Sequence, residues 1–287
     1  MNNKIAKILG LIPDSIYLHL RYKMYAGKKL HLRNPKRFNE KLQWLKLYNR
    51  RPEYVTMVDK VAVKEYVAEI IGEEYIIPTI GIWESVDDIN FDSLPDRFVI
   101  KCNHNSGQGM YICTDKSKMD VEKVKRELRN GLAQDYYLVD REWPYKNVPR
   151  KIIAEEYIDD GSGKGLNDYK VFNFNGEPCI IQVDFDRFTN HKKNLYTTDW
   201  KLCNFSFNYP SHPEIEIPRP VNLDEMLRVA KVLAKNIPYV RTDFYSVNGK
   251  LYFGEITFFP ASGYGKFIPD EYDVKFGSMI TLPKKTK

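Results

Sequence analysis

A chain of 287 residues, 43% hydrophobic and 29% charged, can bury a core without staples, which excludes wholesale disorder and collagen-like repeats. No apolar run approaches the ~20 residues that span a bilayer. The four cysteines (Cys102, Cys113, Cys179, Cys203) lack paired spacing, which argues against a disulfide framework or zinc ribbon and for a reducing, cytoplasmic setting. A net charge of +6 without a basic-aromatic motif speaks against nucleic acid and suits an anionic substrate or a membrane surface.

At the N-terminus Lys4, Lys7, Arg21, Lys23, Lys28 and Lys29 surround Ile5, Ile8, Leu9, Leu11 and Ile12. This stretch has neither the apolar core nor the cleavage site of a signal peptide. It reads as an amphipathic helix packed on the body; the sharper alternative is weak peripheral docking at the inner face of the membrane. Residues 1–75 read as helical, with apolar stripes at Phe38, Leu42, Trp44, Leu45 and Leu47 and at Val58, Val61, Ala62, Tyr66 and Val67. Strands are expected at 75–82, 97–102 and 110–113, the last two flanking a glycine loop, then a charged helix at 119–133 and a strand at 151–157. Strands at 169–174 and 178–185 meet at Asn175-Gly176, a helix covers 221–236, and a hairpin turns near Asn248-Gly249. The fold class is α+β, rich in antiparallel hairpins, with no βαβ rhythm.

Chemistry concentrates in that last hairpin, where Arg241, Asp243, Glu255 and Thr257 interrupt strand-like segments. A two-residue Asn-Gly turn pairs 243 with 254 and sends Glu255 to the opposite face. A three-residue loop pairs 241 with 255 and 243 with 253, and brings all four to one face, where two carboxylates suit Mg²⁺. The segment from Lys101 through Ser106, Gly107 and Gly109 offers backbone N–H groups and a cation to phosphate. It is no Walker loop, and Gly163-Lys164-Gly165 also fails that pattern. Glu155 and Glu156 end an apolar strand whose edge could present backbone to an adenine. His104 and Cys102 read as local and core residues, Tyr252, Phe253, Phe258 and Phe259 as core, and Trp143 with Tyr145 as the wall of an acceptor cleft. Asp184-Phe-Asp186 supplies a competing reading, a D-x-D glycosyltransferase holding a metal on a nucleotide-sugar; a catalytically silent scaffold is a third.

In this order and spacing the pieces resemble an ATP-grasp fold of the TupA-like branch, associated with teichuronopeptide and other cell-surface polysaccharide synthesis. The resemblance runs from about Phe38 to Leu282. It is carried by Phe38-Asn-Glu-Lys-Leu-Gln-Trp-Leu-Lys-Leu47, Asp59-Lys-Val-Ala-Val-Lys-Glu-Tyr66, Phe98-Val-Ile-Lys101, Ile153-Ala-Glu-Glu-Tyr-Ile158, Arg241-Thr-Asp243, Gly254-Glu-Ile-Thr257 and the tail from Pro260 to Ser278. It implies a helical region (1–75), a lid subdomain with the glycine loop (76–157) and a C-terminal subdomain with the metal-binding hairpin (158–287). It implies ATP and Mg²⁺ as cofactors, and a carboxylate–amine ligase working through an acyl phosphate on a cell-surface polysaccharide or its precursor. Lys60 and Lys101 would reach the phosphates beneath the loop of Ser106, Gly107 and Gly109. Glu155, Glu156 and Ile158 would hold the adenine and Asp168 the ribose. Asp243 and Glu255 would hold the metal, with Thr257 where many relatives carry Asn. Arg241 and Arg187, the latter backed by Lys192 or Lys193, would steady the transferred phosphoryl group. The partners implied are a carboxylate, small or glycan-borne, and an amine.

Overall fold

The structure is a computed structural model and describes residues 9–163, 165–186 and 190–285. The N-terminal helices are α1 (Asp14–Ala26), α2 (Phe38–Tyr48), α3 (Glu53–Val58) and α4 (Ala62–Ile71). A four-stranded sheet follows, built from β1 (Thr79–Trp83), β2 (Phe98–Cys102), β3 (Met110–Cys113) and β4 (Ile152–Glu156) in the order β1-β4-β2-β3. Between β3 and β4 run α5 (Val121–Leu132) and the short α6 (Tyr137–Asp140). The second sheet comprises β5 (Asp168–Phe174), β6 (Glu177–Phe185), β7 (Lys192–Thr197), β9 (Tyr239–Val247) and β10 (Lys250–Thr257), ordered β10-β9-β5-β6-β7. A small ladder pairs β8 (Ser206–Phe207) with β11 (Phe267–Ile268), and α7 (Leu223–Leu233) and α8 (Glu271–Met279) complete the chain.

Every ladder between these strands is antiparallel, so the expected α+β class with hairpins holds. Alternation dictates the first sheet: Phe98, Ile100, Cys102, Ile152 and Ala154 point into a core closed by Val124 and Leu128 of α5. The opposite face is left for Val99, Lys101 and Glu155. Cys102 thus fills core while its neighbour Lys101 faces the cleft. The helix expected at 119–133 is α5, started at Asp120, whose carboxylate accepts the Lys123 amide at 2.9 Å. On the second sheet α7 buries Leu223, Met226, Val229, Ala230 and Leu233, each large side chain worth roughly 1.5–3 kcal/mol of burial.

Helix α2 departs from a simple amphipathic reading. Besides Phe38, Leu42 and Leu45 it buries Asn39, Gln43 and Lys46, a polar stripe at i, i+4 and i+7. That stripe grips the segment after β10. Asn39 donates to the Gly265 carbonyl at 2.7 Å, Gln43 to Gly263 at 2.8 Å, and Lys46 to Ser262 at 2.8 Å. Ala261 and Ser262 both sit at positive φ (48° and 51°), a strained pair held by these bonds.

Candidate active site

Between the two sheets lies a cavity of about 320 Å³. The first sheet brings Lys101 and Glu155 to it diagonally across the β2–β4 ladder, where Val99 pairs with Glu155 and Lys101 with Ile153. The Lys101 ammonium contacts Glu155 Oε2, and Lys64 of α4 contacts Oε1 at 2.7 Å. Burial pushes the Glu155 carboxyl up, but Lys101 and Lys64 outweigh it and hold the group below the usual range. Lys60 enters from the turn before α4 and donates to the Asn105 carbonyl at 2.5 Å; burial lowers its pKa.

The glycine loop is anchored at its base and open at its tip. Asn103 donates to Asp59 at 2.7 Å and to the Pro149 carbonyl at 2.8 Å, and accepts the Lys151 amide at 2.7 Å. His104 is buried against the Gln134 carbonyl at 3.1 Å, the local role expected of it. Ser106 and Gly107 are exposed and line the cavity, as do Glu156, at the exposed end of β4, and Ile158. Gly109 does not; it closes the loop against α5. At φ 64° a Cβ there would lie 2.6 Å from Cys102 Sγ and 2.9 Å from Gly131 Cα. Gly109→Ala is therefore expected to destabilise the protein by about 1–3 kcal/mol, read as a lower midpoint in urea denaturation.

In the β9–β10 hairpin the turn is the two-residue one, with Val247 opposite Lys250 and Phe253 opposite Phe244. Neither sequence register survives intact. A bulge at Gly254 shifts the ladder, so Glu255 pairs with Asp243 and Thr257 with Arg241. Gly254 suits this position, since a Cβ would press to 3.1 Å from the Asp243 carbonyl. The four candidate side chains then share one face, as only the three-residue loop was expected to allow. Arg241 binds Asp243 through Nε at 2.7 Å and Nη2 at 2.6 Å, and the same Nη2 reaches Glu255 at 3.2 Å and Thr257 Oγ1 at 3.1 Å. Burial pushes the Glu255 carboxyl up, yet Arg241, Lys60 and Lys170 bring it down to about 2.

Sequence reasoning missed Lys170. It projects from β5 beneath the hairpin and donates to Asp243 at 2.8 Å and to Asp168 at 2.5 Å. Burial alone would lower its pKa; Asp168 and Asp243 raise it instead. Asp168 thus opens β5 at the cavity, in an ion-pair chain with the metal-type carboxylates. Lys170 follows Asp168 and Tyr169 at the start of its strand and interrupts no apolar run; the β5–β9 register, Lys170 against Asp243, reveals it. Arg187 lies outside the described residues. Lys193 approaches Asp184 at 3.8 Å and Lys192 approaches Asp186 at 3.5 Å.

The D-x-D reading is not favoured by this arrangement. Asp184 accepts from Gln182 at 2.6 Å and faces His191 and Lys193, whereas Asp186 sits at φ 53° past the strand and is drawn to Lys192. Among the described residues no group of three or more His, Cys, Asp or Glu is set to hold a metal ion. The Asp243–Glu255 pair, converging on one guanidinium nitrogen, is the oxygen set that fits Mg²⁺, which draws its other ligands from phosphate and water.

A second buried cluster borders the site and was also missed. Glu142 accepts the Ser262 hydroxyl at 2.7 Å beside Lys46, and Glu255 is among the charges acting on it. Burial pushes Glu142 up to about 7 and Lys46 down to about 8. An acid raised on folding contributes stability below its unfolded pKa and loses it as pH rises through the folded value. Glu142→Gln is therefore expected to flatten the fall in stability between about pH 4.5 and 7 relative to wild type. Thermal denaturation of both proteins across that range checks it.

Two solved structures illustrate the likeness. One is D-alanine–D-alanine ligase from Bacillus anthracis complexed with ATP, at 19% identity and TM-score 0.41, covering 70% of this chain and 53% of that one. The other is N5-carboxyaminoimidazole synthetase from Staphylococcus aureus complexed with ADP, at 12% identity and TM-score 0.42, covering 79% of this chain and 52% of that one. The chain thus spans about half the length of these structures. No curated protein matches it. The family model described as TupA-like ATPgrasp matches residues 40–281, most of the chain and all of the site above, and the protein belongs to that family.

Proposed function

We propose that this protein is an ATP- and Mg²⁺-dependent carboxylate–amine ligase that activates its carboxylate as an acyl phosphate, acting on a cell-surface polysaccharide or its precursor. The observation that supports this reading most is that Lys60, Lys101, Asp243 and Glu255 line one cavity, with Arg241 bonded to both carboxylates and no nucleophile among the five. Such a set suits phosphoryl transfer, which asks the protein for positioning and charge neutralisation rather than covalent chemistry.

In this reading the two sheets are lobes clasping the nucleotide, with the subdomain limits near 76–157 and 158–287. Lys60 and Lys101 neutralise phosphate oxygens, and Lys64 keeps Glu155 ionised when Lys101 turns to the phosphates. Glu155, Glu156 and Ile158 line the adenine end, and Asp168 the ribose. Asp243 and Glu255, with Thr257 beside them, would hold Mg²⁺, which would supply charge neutralisation at the transferred group. Arg241 orients the phosphoryl group toward the substrate carboxylate, and Arg187 is proposed as a second such cation. The amine then displaces phosphate from the acyl phosphate, forming the amide.

Calorimetric and thermal-shift titration with Mg²⁺-ATP against Mg²⁺ with UDP-sugars tests the reading. Binding of ATP that disappears in Asp243→Asn/Glu255→Gln is the expected result. Binding of a UDP-sugar without ATP overturns it. ATP-dependent phosphate release on adding candidate uronic acids and amino acids then identifies the substrates.

A further inference from the structure

The helix α1 is apolar on two opposite faces. Tyr17, Leu18 and Tyr22 face inward and are at most 5% exposed, packing with Leu30. On the other side Ile16, Leu20 and Met24, spaced four apart, form one ridge and are 53%, 60% and 61% exposed, with Leu11 at 84% just ahead of the helix. A helix of a protein surrounded only by water keeps that face polar. Elsewhere in the described residues no stretch of fourteen positions holds more than two large exposed apolar side chains, whereas these four fall within fourteen.

The charge carried by this segment is almost all of one sign, although Arg21 and Lys28 meet Asp140 and Asp270 of other elements. From residue 9 to residue 36 the chain carries Arg21, Lys23, Lys28, Lys29, Arg33 and Lys36 against a single acid, Asp14. That acid is turned inward, bonded to Arg50 at 2.6 Å and to the Tyr137 hydroxyl at 2.6 Å. Lys23, one position from Met24 and on the flank of the ridge, is exposed, and so is Lys29 just past the helix. No helix among the described residues is long and apolar enough to cross a membrane.

We infer that the ridge of Ile16, Leu20 and Met24, flanked by Lys23 and Lys29, is a docking face for an anionic lipid surface, on which α1 lies in the plane of the interface. An apolar ridge dips among the acyl chains while lysines beside it meet the head groups. A partner protein of ordinary surface would need acids opposite these lysines; an anionic leaflet supplies them everywhere. The helix is rigidly bolted to the body. Arg21 binds Asp140 at 2.7 Å, Tyr17 donates to the Val139 carbonyl at 2.7 Å, and Tyr137 donates to Asp14. These partners lie in α6, directly before Glu142, which borders the active-site hairpin through Ser262. Docking through α1 therefore holds that end of the cleft at a defined position above the leaflet, where a lipid-borne acceptor would be presented.

The test is flotation of the full chain with vesicles of equimolar phosphatidylglycerol and phosphatidylcholine, against vesicles of phosphatidylcholine alone. Wild type is expected to float with the anionic vesicles and to be released by high salt. Ile16→Ser/Leu20→Ser/Met24→Ser is expected to lose at least about tenfold in vesicle affinity, and Lys23→Glu/Lys29→Glu to lose binding at physiological salt. Circular dichroism and thermal denaturation show that each variant keeps the fold, independently of any nucleotide chemistry. Failure of wild type to float, or flotation untouched by the triple substitution, overturns the inference. So does a concentration-dependent dimer on size exclusion that the triple substitution abolishes while vesicles go unbound, which assigns the face to a second copy of the chain.

Discussion

Glu255→Gln is expected to lower ATP turnover by at least about a hundredfold while leaving the protein folded. The side chain is 44% exposed, so little packing depends on it, and its partners Arg241 and Thr257 keep other contacts. Its carboxyl, held down to about 2 by Arg241 and the neighbouring lysines, is ionised at neutral pH. The variant removes that charge without altering shape. ATP-dependent phosphate release and Mg²⁺-dependent ATP binding check the loss; an unchanged denaturation midpoint separates it from misfolding. Turnover within a factor of a few of wild type would remove Glu255 from the proposed metal site.

Asp243→Ala is expected to combine loss of turnover with loss of stability. Asp243 is 2% exposed and balances Arg241 and Lys170 at once. Deleting it leaves two buried cations with Glu255, Thr257, Asp168 and, at 4.0 Å, Asp184 as their remaining partners, and breaking such a buried pair costs about 3–5 kcal/mol. The free energy from urea denaturation reads this directly. Asp243→Ala/Lys170→Met is expected to recover part of the stability and none of the turnover, because it removes the orphaned cation without restoring an oxygen ligand. A single variant as stable as wild type would show that the ion-pair chain is not a structural element.

Much of this arrangement could be read along the chain. The strands flanking Ser106 to Gly109, the amphipathic α5 and α7, and the antiparallel hairpins follow from local periodicity and turn residues, which act over a few positions. The identities of Lys101, Glu155, Asp243 and Glu255 stood out because charges interrupting apolar strands are costly unless they serve a site, whereas Lys60, in the turn before α4, came only from the resemblance. The register of the hairpin did not, since one bulge at Gly254 flips every side chain beyond it, and a glycine looks the same in a regular strand.

The sequence by itself therefore determined the class of fold, the order of the motifs and the chemistry of the groups at the cleft. Only the tertiary structure decided which of them meet. Lys170 reaches Asp243 across β5 and β9, Lys64 shares Glu155 with Lys101, and Asn39, Gln43 and Lys46 reach from α2 to a strained loop more than 200 residues away. It also turned Ile16, Leu20 and Met24 outward, where periodicity alone left either face of α1 free to be the buried one. These pairings are set by long-range packing, whose energies depend on partners that no local window contains.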